Sequence, residues 1–486
     1  MMNKIEQLLK KRGPMISGDL ARLYEKEYGV SNEAARQAIS RAKSPVKRLY
    51  KIRFDKNQVF CYLEDQFMGE KYVDALMAAI ENHSKTIYTF IQAFISQNGV
   101  VSKELLPSFT AAPVGKVKGH RMYSDVLQKL IDAQIIKEND EKTYALSPMF
   151  CGAINAHRAH GLEVAKNVIT QDFNSWARGI NMVSYGQGKC LFEKPDFGQF
   201  QWAYTAPSYI QPLFSFESEK PGFVVADVFY GKTATVNSIR FFVDKINILR
   251  SYKNIPSFLP ILLVDKIERE ALEYLKENKV TVAVLNNLFS DKYTELLAEL
   301  VNIFTNASAI ISSDPTQLYK LFDGIQKNEG RYNNLAGDLF ELLVGSHFSH
   351  VGCQFLKLQD EVYDSENGKK KEVDLIVSKE GRYLVIECKA QKSKLDDTFV
   401  RKWLNENVPI IRKCLMDRYS TDKIDFQLWS VSGFTDTALA LLKKAKEETK
   451  KYEIEYYERD QMLAIAKKSG DQHFVEIMNE HFSPSK

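Results

Sequence analysis

Three ionisable residues stand where two apolar strands are written: Asp374 in EVDLIV, and Glu387 and Lys389 in YLVIECK. Strand side chains alternate between faces. Glu372, Asp374 and Ile376 therefore share one face of the first strand, and Val385, Glu387 and Lys389 share one face of the second. Residues 378–382 form a tight connection containing Gly381, which predicts a hairpin. Asp374 and Glu387 then converge, with Lys389 two residues along the same face. Two carboxylates are hard oxygen ligands for Mg²⁺, which keeps several waters and takes substrate phosphates as further ligands; Mn²⁺ can stand in. A neighbouring ammonium can orient or deprotonate an attacking water and neutralise charge developing on phosphorus. The plainer alternative is a surface hairpin with a salt bridge from Lys389 to a carboxylate. Against it stand the apolar neighbours of Glu387, which bury the strand and make unpaired charge costly.

These residues need elements to position them. Upstream, NNLAGDLFELLVGSHFSHVG predicts a helix with Leu335, Leu339, Leu342 and Leu343 on one face and Gly337 permitting close packing. It can bring Glu341 to the hairpin as a third carboxylate. Downstream, FVRKWLNENVPIIRKC predicts a helix, and DFQLWSVSGFTDTALALLKKA predicts a strand running into another helix.

The order of Glu341 on a helix, Asp374 on a strand, then Glu387-Cys388-Lys389 resembles the PD-(D/E)XK nuclease superfamily, in its Mrr-like restriction branch. The resemblance covers residues from about 330 to 480. It implies a restriction-endonuclease-like mixed sheet with flanking helices. Asp374 and Glu387 would bind the metal, joined by the main-chain carbonyl of Cys388. Lys389 would assist catalysis, and Glu341 would be an auxiliary ligand or base. Gln391, on the Lys389 face, would supply the polar group often found just past this motif. Val373 precedes Asp374 where the family pattern has proline.

The middle of the chain repeats the order strand, helix, strand, helix, strand over residues 221–290. VVADVFYGK parallels VIECKAQK, with Asp227 at the place of Glu387 and Phe229 at that of Lys389. A preceding helix would carry Glu163, and the first strand, in GQFQWAYTAPSYI, has no clear aspartate. The pattern reads as an internal duplication whose first copy has lost the site and serves as scaffold, DNA clamp or dimerisation element. An unrelated α/β domain is the bland alternative.

The N-terminus carries the charge. Residues 1–64 hold 14 Lys/Arg and 7 Asp/Glu, a net +7, while the whole chain is only +4. Helical spacing in NKIEQLLKKRG and GDLARLYEKEYG precedes VSNEAARQAISRAK, where Ser31 is an N-cap and Ala35, Ala38 and Ile39 face inward. Arg36, Gln37, Ser40, Arg41 and Lys43 then face out. Two strands around Asp55-Lys56-Asn57 place Lys47, Arg48, Lys51 and Arg53 on a basic hairpin able to contact phosphates. Three helices and a basic hairpin resemble a winged helix-turn-helix, whose third helix enters the major groove. Residues 67–150 repeat the scheme with less positive charge, as a second winged helix or as a structural spacer or dimerisation element.

With 486 residues the chain divides into domains at 1–66, 67–150, 151–305 and 306–486. Six scattered cysteines without a CxxC pair argue against a zinc site or disulfide scaffold and fit a reducing cytoplasm. No run of about 20 apolar residues predicts a membrane span, and no Walker motif is present. The expectation is a Mg²⁺-dependent DNA endonuclease of restriction or antiviral-defence type, acting on double-stranded DNA. A double-strand break implies a homodimer or two binding events, and a partner subunit or activator is left open; a third reading keeps the nuclease and moves its substrate to RNA or branched DNA. The alternative from another class is a DNA-binding regulator or assembly subunit that uses a nuclease fold without cleavage.

Overall fold

Ser31 starts a helix because its hydroxyl accepts the Ala34 N–H at 3.3 Å, satisfying an amide that the first turn leaves open. The helix Asn32–Arg41 buries Ala35 and Ile39 against helices Lys4–Arg12 and Ser17–Tyr28. The computed structural model describes residues 4–482 except 53, 212, 215–219, 315, 326–328 and 365–367. The chain is mixed α/β and divides into two compact units, Met1–Ser290 and Asp291–Lys486.

In the first unit, β1 (Met15–Ile16), β2 (Val46–Leu49) and β3 (Phe60–Leu63) form a small antiparallel sheet in the order β1-β3-β2. The predicted basic hairpin is shorter than expected. Its strands stop at Leu49 and resume at Phe60, because Lys56 and Asn57 take left-handed backbone (φ 56° and 59°). A second three-stranded sheet follows, ordered β4-β6-β5, from β4 (Val100–Ser102), β5 (Ile136–Glu138) and β6 (Thr143–Leu146). Its helices are Lys85–Ser96 and Tyr123–Asp132, and SKELLPSF forms only a short 3₁₀ turn over Leu106–Phe109.

A small hairpin of β7 (Asp196–Phe197) and β8 (Phe200–Gln201) leads into a sheet ordered β12-β11-β10-β9. Its strands are β9 (Tyr204–Ser208), β10 (Gly222–Ala234), β11 (Phe258–Ile267) and β12 (Thr281–Val284). β9 runs antiparallel to β10, while β10, β11 and β12 are mutually parallel, with the predicted helices Val236–Arg250 and Arg269–Glu277 between them.

An ammonium does reach Asp227, but not from the strand position that Phe229 occupies. Lys245, on the helix after β10, donates to Asp227 Oδ2 at 2.9 Å, to Ser108 O at 2.6 Å and to Gln201 O at 2.8 Å. All three of its protons are thereby used. The Ala203 N–H supplies Asp227 Oδ1 at 2.7 Å. The two side chains are 0% and 2% exposed, so the pair works as a pin inside the unit. Glu163 is engaged elsewhere: it accepts the Ser102 N–H at 2.8 Å and the Ser102 hydroxyl.

The second unit holds one five-stranded sheet, β13 (Phe355–Asp364), β14 (Lys369–Lys379), β15 (Arg382–Lys389), β16 (Ile424–Ser430) and β17 (Ile454–Glu458), in sequential order. The first two pairings are antiparallel and the last two parallel. The β9–β12 sheet has the same succession of senses without the leading strand. Helix Asp291–Ser313 belongs to this unit, so the expected boundary at 305/306 falls inside it, at the bend where Asn306 leaves helical geometry. By length and composition this helix could cross a membrane. Its Leu297, Leu300, Val301, Phe304 and Ile311 are buried, and Ser308 Oγ accepts the Leu358 N–H at 2.9 Å, so its apolar face is used within the unit.

Removing either charge of the Asp227–Lys245 pair leaves the other buried and uncompensated. Asp227→Asn or Lys245→Met should therefore destabilise the protein by about 3–5 kcal/mol, and Asp227→Leu combined with Lys245→Met by clearly less. Urea unfolding followed by tryptophan fluorescence measures both; equal losses for the single and double variants would contradict the pin.

Candidate active site and nucleic-acid interface

Glu380 and Gly381 both adopt left-handed backbone (φ 53° and 76°), the geometry of a two-residue turn that matches strand twist. This fixes the register of β14 and β15: Lys379 faces Arg382, Ile376 faces Val385, and Leu375 faces Ile386. Asp374 and Glu387 come next in that register, and there the ladder ends. β14 continues against β13, and β15 continues against β16 through Lys389. The strands part where the carboxylates stand, and Asp374 Oδ2 accepts the Cys388 N–H at 2.8 Å across the opening.

Lys389 Nζ lies at the focus of the opening. It is 2.7 Å from Glu387 Oε1, 3.2 Å from Asp374 Oδ2 and 3.0 Å from the Cys388 main-chain oxygen. The three groups expected around a metal thus surround a cation that the chain itself supplies. Burial first, and the Asp374 charge next, push the Glu387 carboxyl up to about 7, against the pull of Lys389. Burial opposes the Lys389 ammonium, but Asp374 and Glu387 together hold it well above its ordinary range.

Glu341 reaches the same cluster from helix Glu329–His350, whose Leu335, Leu339, Leu342 and Leu343 are buried as the spacing predicted. Burial, then the charges of Asp374, Asp338 and Glu372, raise its carboxyl well above the usual range. Gly337 does not serve close packing: it is exposed, and a Cβ there would meet nothing within 4 Å. The helix is held instead by His347, whose Nδ1 lies 2.9 Å from Asp471 Oδ2, both buried. Gln391 hydrogen-bonds the Ser393 main-chain oxygen at 3.1 Å rather than the carboxylates.

One residue of the cluster escaped the sequence reading. Gln359, inside β13, has φ 49°, and it lies at the place the β13–β14 pairing skips, between Leu358, which faces Leu375, and Asp360, which faces Val373. Its side-chain amide donates to Glu341 Oε2 at 3.1 Å. A left-handed glutamine within a strand is strained by about 1–3 kcal/mol, and such strain gathers at functional sites. Nothing in the local sequence marks it, since LKLQDEVY reads as unbroken strand.

As for donors, no group of three or more His, Cys, Asp or Glu side chains among the described residues is arranged to hold a metal ion. Asp374, Glu387 and the Cys388 carbonyl nevertheless make a convergent set of hard oxygens, which fits Mg²⁺ or Mn²⁺ rather than a thiophilic ion.

In the first unit, Arg36, Gln37, Ser40, Arg41 and Lys43 are exposed as expected. With Arg22, Asn32 and Lys56, which the sequence reading did not single out, Arg36 and Ser40 line a groove of about 740 Å³. Lys47 and Lys51 pair with Glu64 (3.4 Å) and Asp132 (3.5 Å). Arg48 has a different task. Its Nη2 donates to Ser40 O at 3.1 Å, Ala42 O at 2.8 Å and Ile39 O, closing the C-terminal carbonyls of the helix. Arg53 lies outside the described residues.

No protein-family model matches this chain, and comparison with curated proteins likewise returns no match.

Gln359→Gly removes the strain together with the amide. Thermal stability should be kept or raised while Mn²⁺ affinity falls by no more than about 10-fold, because the amide lost supports Glu341, the auxiliary carboxylate, rather than the groups that would hold the ion; calorimetric titration and a thermal melt decide. Arg48→Gln should lower the melting midpoint because the helix loses the group that closes its last carbonyls, and Arg36→Gln, on the exposed face, should leave it unchanged; a thermal melt compares the two.

Proposed function

We propose that this protein is a Mg²⁺-dependent DNA endonuclease built on a restriction-endonuclease-like fold, with its basic N-terminal helices docking duplex DNA in winged-helix fashion. The observation that carries this reading is the convergence of Asp374, Glu387 and the Cys388 carbonyl on Lys389 at the point where two strands part. The sheet supports it, with two antiparallel pairings followed by two parallel ones and a carboxylate-bearing helix beside the opening.

When bound, the ion would polarise the scissile phosphate and acidify a coordinated water. Asp374, Glu387 and the Cys388 carbonyl would hold it. Lys389, which would give up these oxygens to a bound cation, would then use its ammonium to orient the water and to neutralise charge on the phosphoryl oxygens. Glu341, the third carboxylate, can accept the water's proton, and Gln359 fixes one of its oxygens. One such cluster cuts one strand, so a double-strand break takes either a homodimer, the favoured arrangement, or two binding events. A cytoplasmic role in restriction or defence, with a partner or activator, is part of the same proposal.

The test is incubation of supercoiled plasmid with wild type and Lys389→Met, in Mg²⁺, Mn²⁺ or EDTA. Metal-dependent nicking or linearisation should be lost in Lys389→Met, while that variant binds Mn²⁺ at least as tightly as wild type because the competing ammonium is gone. No cleavage of modified or unmodified DNA by the wild type would count for a binding module instead. Weaker Mn²⁺ binding in the variant would contradict the displacement.

A further inference from the structure

An acid-free run that concentrates positive charge lies outside both regions described above. Between Glu104 and Asp125 the chain has no carboxylate side chain, yet Lys116, Lys118, His120 and Arg121 fall within six residues. The loop that carries them is closed and anchored. Tyr123 N–H donates to Pro113 O at 2.8 Å and closes its ends, while Val114 N–H donates to Gln199 O at 2.8 Å and seats it on the turn between β7 and β8. His120 N–H folds the tip back onto Val117 O at 3.1 Å. Gly115 lies against the Gln199 side chain, whose amide oxygen occupies the space a Cβ there would take. Compact loops with joined ends are frequently functional.

The four basic side chains are exposed, and among the described residues none pairs with a carboxylate. Lys116, Lys118 and His120 form one wall of a groove of about 340 Å³ whose other wall holds Gln199, Ser251 and Tyr252. The Tyr252 hydroxyl is buried without a hydrogen-bond partner among the described residues. A cationic wall facing neutral amide and hydroxyl groups is the mixture that contacts nucleic-acid phosphates and sugars. The loop has no exposed aromatic or aliphatic anchor of the kind a membrane surface engages.

We infer that the loop 113–123 is a second nucleic-acid contact, gripping the phosphate backbone of duplex DNA independently of the N-terminal helices. The choice of duplex DNA as the polyanion rests on the nuclease reading; the cationic loop itself does not. Each cation that neutralises a phosphate releases counterions and steepens the salt dependence of binding.

The experiment uses the full chain in EDTA, so that cleavage is suppressed, and a fluorescent duplex titrated between about 50 and 200 mM salt. Lys116→Gln/Lys118→Gln/Arg121→Gln should weaken binding roughly tenfold or more and flatten the log–log salt slope by about 2 to 3. The charge-keeping variant Lys116→Arg/Lys118→Arg/Arg121→Lys should restore both, and the melting midpoint should not move. Arg36→Gln/Arg41→Gln is the comparison for the N-terminal helices. Unchanged slope and affinity in the loop variant, with losses in the helix variant, would remove the loop from the DNA path and leave the nuclease reading standing. A loop variant that loses single-stranded RNA or phosphatidylserine vesicles but keeps duplex DNA would overturn the assignment in favour of that partner. If the wild type binds no duplex, both the loop contact and the docking half of the nuclease reading fall, whereas metal-dependent cleavage is tested separately.

Discussion

Two carboxylates facing each other across a half-buried strand pair repel, and the second unit depends on how that repulsion is met. Asp374 and Glu387 are held together by Lys389, which lies within 3.2 Å of both. The same ammonium also reaches the Cys388 carbonyl, so one cation organises three of the groups expected around a metal, while Glu341 is bonded by Gln359. The strands separate at this register, and the cluster is not fully sealed: the Lys389, Glu387 and Asp374 side chains stay 25%, 14% and 10% exposed. The two-residue turn at Glu380-Gly381 sets the register, and a shift of one residue would send the carboxylates to the other face.

The β9–β12 sheet meets a similar electrostatic demand in the opposite way. There a single carboxylate, Asp227, faces Ala203 where the other sheet has Asp374, and its counter-charge comes from a helix. With every proton of Lys245 committed and both side chains closed off from water, nothing is left to bind a substrate. Burial pushes the Asp227 carboxyl up and the Lys245 ammonium down, and their pairing opposes both shifts. One topology thus carries an open charge cluster in one unit and a closed structural pin in the other.

Positive charge in the first unit divides into working parts in the same manner. Some cations are committed to structure, as Arg48 is to the end of its helix. Others, on the outer face of Asn32–Arg41 and on the loop 113–123, have no such commitment and face solvent. A count of basic residues along the chain cannot separate these groups, since Arg36 and Arg48 look alike until the carbonyls around each are known.

The sequence by itself determined the elements with strong local signals. The alternation in β14 and β15, Gly381 at the turn, the leucine face before Glu341 and the Ser31 cap each report a short-range preference, and short-range preferences are written in neighbouring residues. They were enough to bring Asp374, Glu387 and Lys389 to one place on paper. What only the tertiary structure decided are meetings between residues far apart in the chain: Lys245 with Asp227 and Ser108, Gln359 with Glu341, His347 with Asp471. Hydrogen-bond partners of buried charges are chosen by which backbone and side-chain groups folding delivers within about 3 Å. No periodicity records that choice, because the partners come from separate elements whose own patterns say only that they are helix or strand.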